Sequence, residues 1–145
     1  MTFRDETSRS PCKIALLKGV ILACIIEAGR IHGYEVYKNI VKLTKGKWSP
    51  SIGTIYKVLN ELAEQGLLER IEERKGQKTI AYYQITRKGI QEYLNLVKKC
   101  LERWFIGLTL MLKTLKIIKS TRGYLDPTIE AMLRKLSEEL SKLSQ

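Results

Sequence analysis

The sequence predicts a mainly α-helical protein that contains one small β-hairpin. Apolar residues recur every three or four positions in five segments, which is the spacing of one face of a helix. Between the third and the fourth segment the pattern changes to short runs rich in Ile, Tyr and Thr, which is typical of strands. The 145 residues are 44% hydrophobic, so they suffice for a packed core and an additional element.

The first two helices precede a basic turn. Residues 13–28 carry a wide apolar face, and Gly29 follows at a position where helices commonly end. A second, shorter helix is predicted for residues 34–43, and residues 44–47 (Thr-Lys-Gly-Lys) interrupt it. These helices are expected to pack against each other through their apolar sides.

The third helix is predicted from its end signals as well as its spacing. Ser49 or Ser51 can cap its N-terminus, and Pro50 suits a first helical turn. Apolar residues then line one side of the segment until Gly66 ends it. The opposite side is left with polar groups.

A β-hairpin follows the third helix. Residues 67–74 and 79–86 have strand composition, and the Lys-Gly-Gln-Lys segment at 75–78 lies between them as a turn. Three helices followed by a basic hairpin are the plan of a winged helix-turn-helix. Residues 1–86 are therefore predicted to form such a domain.

Residues 87–145 are predicted to form a helical dimerisation region. Thr86 can cap a long helix over residues 87–119, and Asp126-Pro127 opens a last helix over about 127–143. Apolar residues alternate steps of four and three along the long helix, which is a coiled-coil heptad that one helix cannot bury alone. The heptad positions are Ile90, Leu94, Val97, Leu101, Trp104, Leu108, Met111, Leu115 and Ile118.

The charge indicates a polyanionic partner. The formal net charge is +11, and residues 30–99 hold 14 basic and 7 acidic side chains, so they supply +7 of it. Residues 104–112 are uncharged, but Lys113 and Lys116 follow before the stretch is long enough to cross a bilayer, so no membrane partner is expected. Nucleic acid is the expected partner.

The sequence offers little for catalysis or metal binding. His32 is the only histidine and is expected to mark the turn before the second helix, and the two aspartates, Asp5 and Asp126, lie outside the expected domain core. Cys12, Cys24 and Cys100 are far apart and odd in number, which favours a reducing cytoplasm over a disulfide framework. No enzyme activity, metal or cofactor is predicted.

In a winged helix the third helix enters the major groove. Its polar side then presents hydroxyl, amide and ammonium groups to DNA, while Gly53 lets the backbone approach closely. The DNA-facing positions on this helix are Ser51, Gly53, Thr54, Tyr56, Lys57 and Asn60. Taken alone, the same spacing also fits a simple capped helix with a solvated lysine.

Four motifs resemble the PadR family of regulators in order and spacing. They are residues 32–35 (His-Gly-Tyr-Glu), 51–56 (Ser-Ile-Gly-Thr-Ile-Tyr), 66–68 (Gly-Leu-Leu) and 82–89 (Tyr-Tyr-Gln-Ile-Thr-Arg-Lys-Gly). The resemblance covers residues 13 to about 93 and implies a dimeric winged-helix repressor that binds a palindromic operator in double-stranded DNA. Lys57 departs from the family, which commonly has Pro after the Tyr, and we expect it to contact phosphate.

Basic residues outside the third helix complete the predicted interface. Arg74, Lys75 and Lys78 at the hairpin tip can follow the minor-groove edge or its phosphates, and Lys45 and Lys47 precede the recognition helix. Both groups also fit a charged, solvated surface.

Three alternatives remain for the C-terminal region and the cysteines. Some regulators similar to this family bind planar aromatic compounds between tryptophans at the dimer centre, so Trp104 is a candidate for a small aromatic effector, or simply part of a closed seam. Cys24 and Cys100 offer a redox switch on the same fold. The third alternative is a basic protein-interaction module, in which the apolar C-terminal helices bind another protein.

Overall fold

The structure is a computed structural model that describes the backbone from Pro11 to Gln145 and the side chains from Ala15 onward. In chain order the elements are α1 (Pro11–Ala28), β1 (Arg30–His32), α2 (Gly33–Leu43), α3 (Ile52–Glu64), β2 (Leu68–Lys75), β3 (Lys78–Ile85), α4 (Arg87–Arg122) and α5 (Pro127–Leu143). The predicted fold class is confirmed, because a helix-rich chain carries a small hairpin in the winged-helix order.

The ends of α3 show why the helix occupies these residues. Ser51 is the N-cap, so Pro50 lies before the helix and its predicted place in the first turn is wrong. At the other end Gly66 has a φ of +76°. The Leu67 N–H donates to the Leu62 carbonyl at 2.9 Å, which closes the helix as a Schellman motif.

The sheet has three strands, because β1 joins the hairpin as an edge strand that the sequence did not predict. The strand order is β1-β3-β2, and all pairs are antiparallel. β1 has only three residues and follows Gly29, whose φ is +74°. It is too short to show the alternating pattern on which strand prediction depends.

The core lies between α1, α2, α3 and one face of the sheet. Tyr83 of the central strand is 1% exposed and belongs to a buried cluster to which all three helices contribute. The buried members are Leu17, Ile21, Leu22, Cys24, Ile25, Ile31, Val36, Ile40, Ile55, Val58, Leu59, Leu62, Leu67, Leu68 and Tyr83. This core fixes which side of α3 faces inward.

The start of α4 is attached to the end of α3. The Thr86 hydroxyl caps α4 by accepting from the Gly89 N–H at 3.0 Å, and it lies 2.7 Å from the Gly66 carbonyl oxygen. A Cβ at Gly89 would lie 2.1 Å from the Leu67 carbonyl oxygen, so this close approach requires glycine.

The backbone divides into two compact units, and the boundary lies within α4 between Lys99 and Cys100. The second unit contains the rest of α4 and all of α5, whose start is joined to α4 by the Lys119–Glu130 ion pair at 3.2 Å. Between Pro11 and Gln145 no helix has the length and apolar character needed to cross a membrane.

Candidate nucleic-acid interface

The N-terminus of α3 is a solvent-exposed, capped helix start. The Ser51 hydroxyl oxygen accepts from the Thr54 N–H at 3.1 Å and lies 2.8 Å from the Thr54 hydroxyl oxygen. The first turn carries no acidic side chain, and Lys57 is the first charged residue of the helix. The free N–H groups and the positive end of the helix dipole therefore form a surface that favours an anion.

At the start of α3, Gly53 leaves space for a close approach to the backbone and the Tyr56 ring is held against α2. Among the described residues outside the helix's own backbone and the two chain neighbours, a Cβ built on Gly53 would meet only the Ser51 hydroxyl oxygen, at 4.0 Å, so the backbone there is open to close approach. The Tyr56 ring packs on α2, because a Cβ built on Gly33 would lie 2.4 Å from the ring atom Cε1. Tyr56 is nevertheless 40% exposed, so the contact with Gly33 fixes a ring that solvent still reaches.

Lys57 and Asn60 continue the exposed side of α3. Within the described chain Lys57 has no acidic partner within ion-pair distance, so its ammonium group is available to bind an anion. The Asn60 side-chain oxygen accepts from the buried Tyr83 hydroxyl at 3.2 Å. The sequence did not indicate this contact, because the two residues are far apart in the chain.

Hydrogen bonds hold the turn between α2 and α3. The Gly46 N–H donates to the Val41 carbonyl at 3.0 Å, and Lys45 itself has a φ of +52°. Lys45 and Lys47 are both exposed on this turn, immediately before the cap at Ser51. Their ammonium groups are therefore presented beside the start of α3.

The hairpin tip separates the three predicted basic residues. Lys75 and Lys78 are cross-strand partners, joined by Gly76 and Gln77, and Gly76 has a φ of +65°. Because side chains alternate along a strand, Arg74 lies on the opposite face from Lys75. The tip therefore presents two lysines on one face and one arginine on the other, rather than a single cluster.

The outer face of the sheet carries a cluster that the sequence analysis missed. Arg30 lies over the Tyr82 ring, with Cζ 4.6 Å from its centroid, and forms an ion pair with Glu73. The Lys75 ammonium donates to the Tyr82 hydroxyl at 3.0 Å, and this hydrogen bond raises the pKa of Lys75. Only the pairing of β1 with the hairpin brings Arg30 to this face, so no sequence pattern marks it.

His32 caps the start of α2. Its Nδ1 accepts from the Glu35 N–H at 3.4 Å as the N-cap of α2, as the predicted turn position requires. No group of three or more metal-ligating side chains occurs in the part of the chain that the structure describes.

None of the nine heptad residues is buried within a single chain. Leu101, Trp104 and Met111 are 56%, 63% and 59% exposed. Leu108 and Leu115 are half-buried. Apolar residues outside the heptad are exposed as well, with Phe105 at 71% and Ile106 at 74%, so α4 has more unpartnered apolar surface than the heptad predicts.

Comparison with known proteins identifies relatives of this chain. A family model for the transcriptional regulator PadR-like family matches residues 21–95. Transcriptional regulator YqjI of Escherichia coli K12 is 40% identical over 72 residues, which are 50% of this chain and 33% of that protein. The matched segment therefore spans about a third of the length of this curated relative.

Solved structures share the fold. A transcriptional regulator from Clostridium thermocellum aligns with a TM-score of 0.57 and 28% identity, covering 72% of this chain and 97% of that one. Bacillus subtilis PadR, solved in complex with operator DNA, aligns with a TM-score of 0.52 and 19% identity over 89% of this chain and 94% of its own. At that identity the second likeness concerns the fold alone.

Proposed function

Because the chain belongs to the PadR-like family of transcriptional regulators, we propose that it is a sequence-specific double-stranded DNA-binding regulator. It acts as a homodimeric repressor on an inverted-repeat operator. Residues 1–86 form the DNA-binding domain, and residues 87–145 form the dimerisation region. The observation that carries the proposal is the exposed start of α3, which has no acidic side chain in its first turn.

The interface divides into groups that position the protein and groups that read bases. The first turn of α3, from Ser51 to Thr54, binds phosphate through its N–H groups and hydroxyls, and Lys57 adds a charged contact. Tyr56 and Asn60 lie further along the exposed side, where side chains reach base edges in the major groove. The flanking DNA backbone is contacted by Lys45 and Lys47 on the turn before α3 and by Arg74, Lys75 and Lys78 on the wing, which is the tip of the β2–β3 hairpin.

The exposed apolar surface of α4 supports the dimer. Large apolar side chains that are more than half exposed, such as Leu101 and Met111, are costly to leave in water. A second copy of the same helix supplies a matching heptad and buries both. Two-fold symmetry then places two recognition helices in successive major grooves, about 34–36 Å apart.

Selection of bound sequences from random duplex DNA tests this proposal. We expect an enriched inverted repeat whose half-sites are about one helical turn apart. A matched selection with a variant that carries Lys57→Glu and Thr54→Ala, both on the exposed side of α3, should enrich no motif. Failure of the wild-type protein to enrich any motif would contradict sequence-specific binding, and a single unrepeated half-site would contradict the symmetric dimer.

A further inference from the structure

We propose that Tyr83 is a positioning residue for DNA recognition, which acts through Asn60 and never touches DNA itself. This inference rests on the proposed function and concerns how the same interface selects a base. Tyr83 lies on the central strand of the sheet and is 1% exposed. Its hydroxyl donates to the Asn60 side-chain oxygen at 3.2 Å.

The contact joins the central strand of the sheet to the exposed side of α3. Tyr83 is paired with Ile31 on β1 and with Arg70 on β2, so strands on both sides hold its backbone. Within the described chain it makes the only side-chain hydrogen bond from the sheet to α3. A buried tyrosine hydroxyl needs a partner, and here the partner is a residue of the proposed recognition helix.

Among the described residues, the NH₂ group of the Asn60 side chain remains free to donate a hydrogen bond to DNA. It is exposed and lies one helical turn after Tyr56 and Lys57, on the same side of α3. An asparagine amide offers one accepting oxygen and two N–H donors. Because the oxygen faces Tyr83 and the NH₂ group has no hydrogen-bond partner in the described chain, the outward part of Asn60 is a donor.

This orientation restricts which base Asn60 can recognise. A bidentate contact with adenine requires the amide oxygen and the NH₂ group to face the base edge together. With the oxygen turned to Tyr83, Asn60 is left to donate, which favours guanine, with its two acceptors N7 and O6, or thymine O4 over adenine, whose N7 acceptor lies beside an amino donor. Tyr83 therefore fixes the preference at one position of each half-site.

A double-mutant cycle on the full-length protein tests this role, with the enriched operator as the probe. Tyr83→Phe keeps the buried ring and removes only the hydroxyl, so we expect roughly three- to tenfold weaker operator binding, the equivalent of one hydrogen bond. In an Asn60→Ala background the same substitution should change affinity by less than about twofold, because Tyr83 affects DNA binding only through Asn60, which is absent from that background. Tyr93→Phe, which removes a hydroxyl from another partly buried tyrosine of the first unit, is the matched control and should leave affinity unchanged.

The base preference of the Tyr83→Phe variant shows whether Tyr83 positions Asn60 or only stabilises the fold. We expect Tyr83→Phe to relax the preference at the same half-site position as Asn60→Ala, at a temperature where circular dichroism shows every variant to be folded. Wild-type affinity and preference in Tyr83→Phe, or equal losses in the two backgrounds, would overturn the positioning role alone. If the wild-type protein enriches no operator at all, both proposals fall.

Discussion

Ser51 caps α3, whereas Ser49, two residues earlier, makes no such contact in the described chain. Replacing Ser51 with Ala leaves the Thr54 N–H without its acceptor, and we expect a loss of about 1 kcal/mol in the free energy of unfolding. Ser49→Ala should stay within about 0.5 kcal/mol of wild type. Urea denaturation at one protein concentration measures both, and equal losses would contradict the assignment of the cap.

Gly89 makes the closest backbone approach between α4 and the end of α3. Alanine normally favours a helix by about 1 kcal/mol over glycine, but here its Cβ would collide with the Leu67 carbonyl oxygen. We expect Gly89→Ala to lower stability by about 1–3 kcal/mol, since backbone must shift. The control is Gly19→Ala in α1, where nothing lies within 4 Å of the added Cβ.

Gly19→Ala should be neutral or stabilising by up to about 1 kcal/mol, because only the helix preference acts there. Thermal unfolding of the two variants beside wild type gives both values. Equal shifts in the same direction would show that the contact with Leu67 does not govern position 89.

Burial, and then the charge of Glu27, raises the pKa of the Cys24 thiol. Only the thiolate reacts with alkylating agents, so the raised pKa makes Cys24 less reactive at neutral pH. In a Cys12→Ser, Cys100→Ser variant, we expect iodoacetamide to modify Cys24 much more slowly in the folded protein than in urea. The pH of half-maximal rate should also be higher in the folded protein.

A Cys12→Ser, Cys24→Ser variant, which retains Cys100 alone, is the comparison for the folded protein, because Cys100 is half-buried. If Cys24 reacts as fast when folded as when unfolded at pH 7, its burial does not protect it. Slow alkylation would argue against Cys24 as the sensor in a redox switch.

At the scale of elements, signals local to the chain were sufficient for most of the fold. Gly29 and Gly66 end helices because both adopt positive φ, and Asp126 caps α5 as its place before Pro127 predicts. β1 was missed because its identity as a strand comes from pairing with β3, not from its own three residues. Local pattern cannot report a partner that is distant in sequence.

In the candidate site, too, features set by local sequence were predictable and features set by tertiary contacts were not. The exposed side of α3 was predictable from helical spacing, since the buried residues Ile55 and Val58 determine which side faces outward. The contacts that orient its side chains were not, because Tyr56 rests on Gly33 and Asn60 binds Tyr83 through the tertiary fold. Similarly, the position of Lys78 on the same face as Lys75, opposite Arg74, follows from the register of the hairpin.

We propose that the wing contributes to DNA binding through its positive charge, by lying along the DNA backbone. Lys78→Ala removes one cation from the hairpin tip, and we expect weaker binding of all duplex sequences to a similar extent. The slope of log affinity against log salt should fall by about one for each phosphate that the wing no longer neutralises. Lys135→Ala, an exposed lysine on α5, removes the same charge outside the wing and should leave the slope unchanged.

A uniform decrease in affinity distinguishes this role from base reading, because a phosphate contact carries no sequence information. Fluorescence anisotropy at several salt concentrations, with one specific and one unrelated duplex, gives the slopes. A Lys78→Ala protein with the wild-type slope would mean that the hairpin tip stays in solvent.

At the scale of the whole molecule, charge and apolar surface lie in different stretches of the chain. Residues 30–99 supply +7 of the net charge of +11, whereas the large exposed apolar side chains are concentrated in α4 and α5. A monomer would expose that apolar surface to water and bind DNA through one half-site alone. The dimer that we propose would bury this apolar surface and engage both half-sites, so we expect oligomeric state and operator affinity to change together.

A pair of substitutions on α4 tests this coupling. Met111, on the heptad, and Thr109, two residues away and off it, are both exposed, so a glutamate at either position adds the same charge without disturbing a core. We expect Met111→Glu to shift the protein to monomer in analytical ultracentrifugation, because a carboxylate would have to be buried in the seam. Its affinity for the full inverted repeat should fall toward that for a single half-site, whereas Thr109→Glu should remain dimeric with wild-type preference for the repeat. A Met111→Glu protein that stays dimeric would place the dimer contact on other apolar residues of the second unit, such as Phe105 and Ile106, rather than on the heptad.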